Sequence, residues 1–427
     1  MKKQIIILGF VLLALACKSD PTLTITAPED YNVYLNTSEK NTLKEALSAK
    51  EFWSKRLRPD STGVGDLAPL AGAYEQLFAV TGDPDHLKSA ELLYVKGMEI
   101  SAISSDAYAR GLAHNYISQH RFKEAYSLLN ETLEGPSNKH ETRLMLFDAA
   151  MEVGDYEKAY EHLEAVKDLT DYHYLIRLSK WSDYRGDLDS AIKYLEKARD
   201  IANSRDSKPL RVWTYSNLAD YYGHAGRITD SYQHYLKTLA LQPDNHYAKK
   251  GIAWIIYSEE NNTNEAIRIL DKLVDDHSLP DYHLLKAEMY EHDGYTAKAE
   301  QSMNDFLEAV ESSDYGDMYN TYLIEYFSET NPQQALELAQ KELENRATPE
   351  TYHLLALAQL YNGKAEEALV TIENHVTGKT SEPMALYHTA LVYKANKWED
   401  KLKPIKAELL DASFELGPVL TKKIEAL

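Results

Sequence analysis

One recurring mark constrains this chain more than any other. Helix-period stretches of about a dozen residues alternate with short turns, and a small residue opens every second stretch. That residue falls at Ala90, Ala125, Ala159, Ala191, Ser231, Ala266, Ala299, Ala335 and Ala368, with spacings of 32 to 40 residues. A weaker tenth unit carries Leu402 at the equivalent place. Self-similarity at such a period marks a stacked array, because one helical pair cannot bury its apolar face until the next pair covers it. The 427 residues therefore read as one extended body, not as two or three independent domains. Glycine is scarce, 18 residues in all, and runs with strand alternation are missing, which argues against sandwich and barrel architectures.

The clearest unit runs from Val212 to Pro243. It has Tyr215, Leu218-Ala219 and Tyr222 on its first helix, Gly226 at the turn, Ser231, Tyr235 and Thr238 on its second helix, and Pro243 at its close. Leu112-Ala113, Tyr116, Ala125, Leu129 and Pro136 repeat the series, as do Tyr352, Leu355-Ala356, Gly363, Ala368 and Ile372. In type, order and spacing this resembles the tetratricopeptide repeat (TPR), over roughly residues 70–410. The resemblance implies an all-α, right-handed α-solenoid of about 9–10 helix-turn-helix units. Tyrosine recurs at one first-helix site (Tyr116, Tyr222, Tyr257, Tyr290, Tyr326, Tyr393), where a ring fits the inter-helix core with its hydroxyl at the edge. Two places disturb the rhythm. Asn203 to Pro209 reads as a longer loop, and Thr81 to His86 as an extended turn.

The N-terminus reads as an address. Lys2 and Lys3 precede the run Ile5–Ala16, which is too short to span a bilayer and fits a secretory h-region. It ends at Ala14-Leu15-Ala16-Cys17, which contains the chain's one cysteine. This resembles the lipobox of bacterial lipoproteins, and the resemblance implies acylation of Cys17. Residues 1–16 are then a signal peptide, 17–40 a lipidated tether, 41–66 a lead-in helix and turn, 67–406 the TPR array and 407–427 a C-terminal capping helix. Lys18 after the cysteine favours the outer membrane, so the expected place is the cell envelope, as an outer-membrane lipoprotein of Bacteroidetes-like type facing the periplasm or the surface.

A formal net charge of −21, from 46 Lys plus Arg against 67 Asp plus Glu, lacks the basic footprint that phosphate binding needs. The expectation is therefore no nucleic acid, with a protein or peptide partner, a basic one being favoured, and membrane contact through the lipid anchor only. A single cysteine excludes a disulfide framework. Metalloprotease, Walker, dinucleotide and nucleophile-elbow motifs are absent. The reading is no enzyme, no cofactor and no metal. In resembling proteins the first helix of each pair faces the concave side, which implies groove contacts at Arg110, His114, Arg177, Lys180, Trp213, Asp220, His224 and Glu288. Trp213 is the aromatic anchor of that set. Arg177 and Lys180, one turn apart, suit a carboxylate, and the competing expectation pairs them with Asp183 or Asp187. The functional expectation is a lipid-anchored interaction scaffold that binds a partner on its concave surface. The alternative is a glycan-binding lipoprotein of the starch-utilisation type, disfavoured by short insertions and only five tryptophans.

Overall fold

The computed structural model describes residues 24–37, 40–57, 63–103 and 105–427. Cys17 and the segment 1–16 lie outside the described residues. Among those described there are 23 helices and no strand. Two helices precede the array, α1 (Pro28–Leu35) and α2 (Asn41–Arg56). Five pairs follow: α3 (Val64–Thr81) with α4 (Asp85–Ile100), α5 (Ser105–Ser118) with α6 (Phe122–Glu134), α7 (Lys139–Val153) with α8 (Tyr156–Glu164), α9 (Tyr172–Tyr184) with α10 (Leu188–Ser204), and α11 (Lys208–His224) with α12 (Ile228–Leu241). Five more complete it: α13 (His246–Ser258) with α14 (Thr263–Asp276), α15 (Asp281–His292) with α16 (Thr296–Ser312), α17 (Asn320–Thr330) with α18 (Pro332–Asn345), α19 (Pro349–Tyr361) with α20 (Ala365–His375), and α21 (Pro383–Ala395) with α22 (Glu399–Asp411). The last helix is α23 (Ser413–Glu425). The fold is an all-α solenoid of ten helical pairs among the described residues. No helix of these residues is long and apolar enough to cross a membrane.

The repeat mark has a packing cause. Ala90, Ala125, Ala159, Ala191, Ala266, Ala335 and Ala368 are completely buried, each at the point where the second helix of its pair crosses the first. A larger side chain there would force the helices apart. The turns have a cause too. Gly154 takes a left-handed φ of 81° at the end of α7, and the Asp155 carboxylate next to it accepts the Lys158 N–H at 3.3 Å to cap α8. Gly186 and Asp187 repeat this ahead of α10. Three of the six recurring tyrosines sit as expected: Tyr222, Tyr257 and Tyr393 are buried, and their hydroxyls donate to Glu196, Glu288 and Glu373, while Tyr116, Tyr290 and Tyr326 are half-buried.

Three segments depart from expectation. The residues around Asn203–Pro209 do not form a long loop, because α10 and α11 each run to 17 residues and leave only 205–207 between them. Within the segment read as a tether, residues 25–35 are docked. Tyr31 and Leu35 of α1 are buried in the core of α12–α14, the Tyr31 hydroxyl donates to Glu265 at 2.7 Å, and Thr26 donates to Glu260 through both its N–H and its hydroxyl. Burying a Leu35-sized side chain contributes about 2 kcal/mol. Residues 407–427 are not one capping helix. Residues 407–411 finish α22, and α23 breaks at Gly417 and folds back over α11, α13 and α15.

The solenoid winds tightly enough for successive superhelical turns to touch. The Tyr315 hydroxyl donates to the Gly82 carbonyl, 233 residues away, and the Asn345 amide donates to the His120 carbonyl, 225 away. Arg346 pairs with Glu152 at 3.2 Å. These separations span between five and seven repeats of about 34 residues.

Candidate functional site on the inner helical face

The first helix of each pair lines the inside of the superhelix, and charged side chains there pair from one unit to the next. Arg177 on α9 grips the Asp148 carboxylate on α7 through Nε at 3.0 Å and Nη2 at 2.6 Å. Lys180 reaches Glu152 at 2.9 Å, the same carboxylate that Arg346 approaches from the next superhelical turn. Burial alone would lower the Lys180 pKa, but the Glu152 and Asp148 charges outweigh it and raise it. Arg110 pairs with Asp106 at 2.7 Å, one turn back on its own helix. His114 stands 3.5 Å from Glu75 of α3, which raises the imidazole pKa. Lys250 of α13 lies 3.7 Å from Asp281 of α15.

These contacts revise the expected groove. Arg177 and Lys180 are held by Asp148 and Glu152, not by Asp183 or Asp187, and are not open to clamp a ligand carboxylate. Trp213 is 42% exposed and rests edge-on against Tyr172 of the preceding unit, at 6.4 Å between ring centroids. It does not line the inner cavity.

Asp220 and His224 do converge, while Glu288 is not among the side chains that line the cavity they share. Asp220 and His224 bound a cavity of about 270 Å³ together with Tyr247, Lys250, Trp254, Asp281, Tyr322 and Phe414. Asp220 accepts hydroxyls from Tyr235 and, at 2.6 Å, from Tyr247. Burial raises its pKa more than these two bonds lower it. Glu288 accepts the Tyr257 hydroxyl at 3.1 Å, and burial pushes its pKa up to about 7.

The C-terminal helix α23 supplies one wall of this cavity through Phe414 and Glu415. The Phe414 carbonyl accepts the Trp254 indole N–H at 3.0 Å and the Ser258 hydroxyl at 2.8 Å. Gly223 leaves room for the Phe414 ring, which a Cβ there would meet at 2.8 Å. Glu415 lies 4.0 Å from His224, and Lys423 pairs with Glu291 at 3.2 Å. Lys250, Trp254, Tyr247, Tyr322 and Phe414 were not among the residues picked out from sequence. The first four sit on first helices at groove-facing phase and were findable by that rule. Phe414 was not, since nothing local shows that α23 turns inward.

Chemically the cavity is aromatic-walled, with carboxylates on its sides and one resident ammonium. No three His, Cys, Asp or Glu side chains among the described residues are placed to hold a metal ion.

Residues 182–244, which span α10–α12 and include Asp220 and His224, match the family model for the tetratricopeptide repeat. No curated protein matches the sequence significantly. Among solved structures the chain is similar to the human IFIT1 dimer with m7Gppp-AAAA. Identity is 16% over 77% of this chain and 76% of that one, with a TM-score of 0.47. The human IFIT1 dimer with PPP-AAAA gives 16% over 76% of each chain, again at 0.47. MamA matches at 18% identity over 47% of this chain and 95% of its own, with a TM-score of 0.26. These likenesses concern the fold and assign no ligand to this chain. They do correct one expectation. The IFIT1 structures hold capped or triphosphate RNA, so excluding nucleic acid on net charge does not stand. Charge summed over a whole solenoid does not fix the charge of one groove.

Proposed function

We propose that this chain is a non-catalytic protein-interaction scaffold, anchored through acylated Cys17 at the outer membrane of a bacterial cell envelope, and that a partner protein docks on its inner helical face. The observation that carries the docking site is the cavity between α11, α13, α15 and α17. There Tyr322 is 43% exposed and Trp254 and Phe414 are part-exposed, in a wall whose other charges are already paired. Aromatic side chains set in a pocket are the usual energetic centre of a protein interface. The repeat match across α10–α12 supports the scaffold reading, since stacked helical repeats present extended concave binding surfaces. The anchor rests on the hydrophobic run ending at the single cysteine.

The test is cross-linking in intact envelopes, with partners identified by mass. Wild type should yield a discrete partner that Tyr322→Glu loses without a change in folding. Cys17→Ala should move the protein to the soluble fraction. A Cys17→Ala protein that stays with the membrane ends the anchor reading, and cross-links indifferent to Tyr322→Glu end the docking site.

A further inference from the structure

A second groove lies away from the inner cavity, where one superhelical turn meets the next. It is open, about 1250 Å³, and runs between α8–α9 on one side and α19–α20 with the segment 376–382 on the other. Tyr156 and Tyr160 stand one turn apart on α8, and Trp181 and Tyr184 three residues apart on α9, so each pair shares a helix face. The two faces interleave. Tyr156 stacks on Tyr184 at 4.2 Å between centroids and Tyr160 on Trp181 at 5.1 Å. On the far wall Tyr352 stacks on His375 at 3.9 Å. Three glycines, Gly154, Gly186 and Gly378, form the lips. A Cβ at Gly154 would sit 2.9 Å from the Ala347 carbonyl oxygen, so the groove depends on backbone passing backbone there.

Several tyrosine hydroxyls elsewhere in the molecule donate to carboxylates, as in Tyr94 to Glu75, Tyr126 to Asp155 and Tyr319 to Asp281. In this groove the hydroxyls of Tyr156, Tyr160, Tyr184 and Tyr352 and the indole N–H of Trp181 have no partner within the described protein. The rim carries both signs, Arg185 and Lys379 against Glu157 and Glu161.

We propose that this groove is a binding site for an extended, proline-rich peptide segment of a partner protein. A polyproline II chain makes no internal hydrogen bonds and turns its carbonyls outward, and proline has no N–H to donate. Such a ligand presents acceptors without donors, which complements a wall of unspent O–H and N–H donors. Its pyrrolidine rings fill the spaces between aromatic rings, the mode by which aromatic-lined grooves read these segments. The balanced rim suits a ligand without net charge. None of this depends on the anchor or on the inner cavity.

The test is fluorescence anisotropy of a labelled decaproline peptide against the full chain. Saturable binding is expected, weakened about tenfold or more by Tyr160→Ala and by Trp181→Ala. Tyr184→Phe, which keeps the ring and removes only the hydroxyl, should weaken it several-fold at unchanged melting temperature. Absence of saturable binding overturns the proposal, and so does binding indifferent to all three variants. Displacement of decaproline by maltoheptaose or by an adenine pentanucleotide assigns the groove to a glycan or to nucleic acid and overturns it equally.

Discussion

The inner cavity and the groove between turns are both built from aromatic rings on helix faces, yet they use their polar groups in opposite ways. Inside, hydroxyls and charges are paired within the chain: Tyr235 and Tyr247 on Asp220, Tyr257 on Glu288, Arg177 on Asp148, Lys180 on Glu152. Between the turns, ring faces are paired and the donors are not. A buried polar group costs stability when its partner is removed, whereas a solvated donor costs little. The paired groups of the inner face should therefore answer to mutation mainly through folding, and the groove mainly through binding.

The largest effect is expected at Gly417. Its φ of 75° and ψ of 168° belong to backbone that only glycine adopts readily, and a Cβ would sit 2.8 Å from the Trp254 ring and 2.7 Å from a Glu288 oxygen. Gly417→Ala should cost about 3 kcal/mol and release α23, seen as a lower melting temperature and faster amide exchange over 413–427. Unchanged exchange there would mean that the cavity wall does not rest on this turn.

A smaller effect, of opposite sign, is expected at Glu288. Its pKa in the fold, about 7, lies above the usual carboxylate value, so the native state holds the proton more tightly than the unfolded chain. Its contribution is favourable at low pH and is lost as pH rises through 7. Glu288→Gln should thus stabilise the protein at pH 8 by about 1–2 kcal/mol, discounted for the part-exposed site, and the gain should vanish by about pH 4.5. A gain that is flat with pH would place the benefit outside this ionisation.

The smallest effect on stability is expected in the groove. Tyr160 is 44% exposed, and Tyr160→Ala should shift the unfolding free energy by less than about 1 kcal/mol in denaturant titration. A larger loss would make the stacked row part of the scaffold and erase the contrast with the inner face.

Much of the fold could be read from residue spacing, because it is local. Ala125 and Ala159 report a helix crossing within one unit, and Gly154-Asp155 reports a turn within four residues. What could not be read is set by superhelical pitch. Nothing near Arg346 says that it will meet Glu152, and nothing near Tyr352 says that it will face Tyr156 across the chain. The charged groove residues failed for a related reason. Arg177 and Lys180 were placed on the correct helix face, but their partners lie on the preceding first helix, at a distance that only the angle between units decides. Phe414 was hidden because Gly417-Pro418 reads equally well as a helix end and as a reversal.

The docking of α1 carries a last consequence. Only residues 18–24 separate Cys17 from the segment fixed on α12–α14. Seven residues at full stretch reach roughly 25 Å. On the proposed acylation this is a short leash. The protein could not swing through the periplasm or away from the cell like a tethered float. It would ride close to the lipid headgroups, with the flank that carries α1 turned to the bilayer, and its partners would have to arrive from the other side.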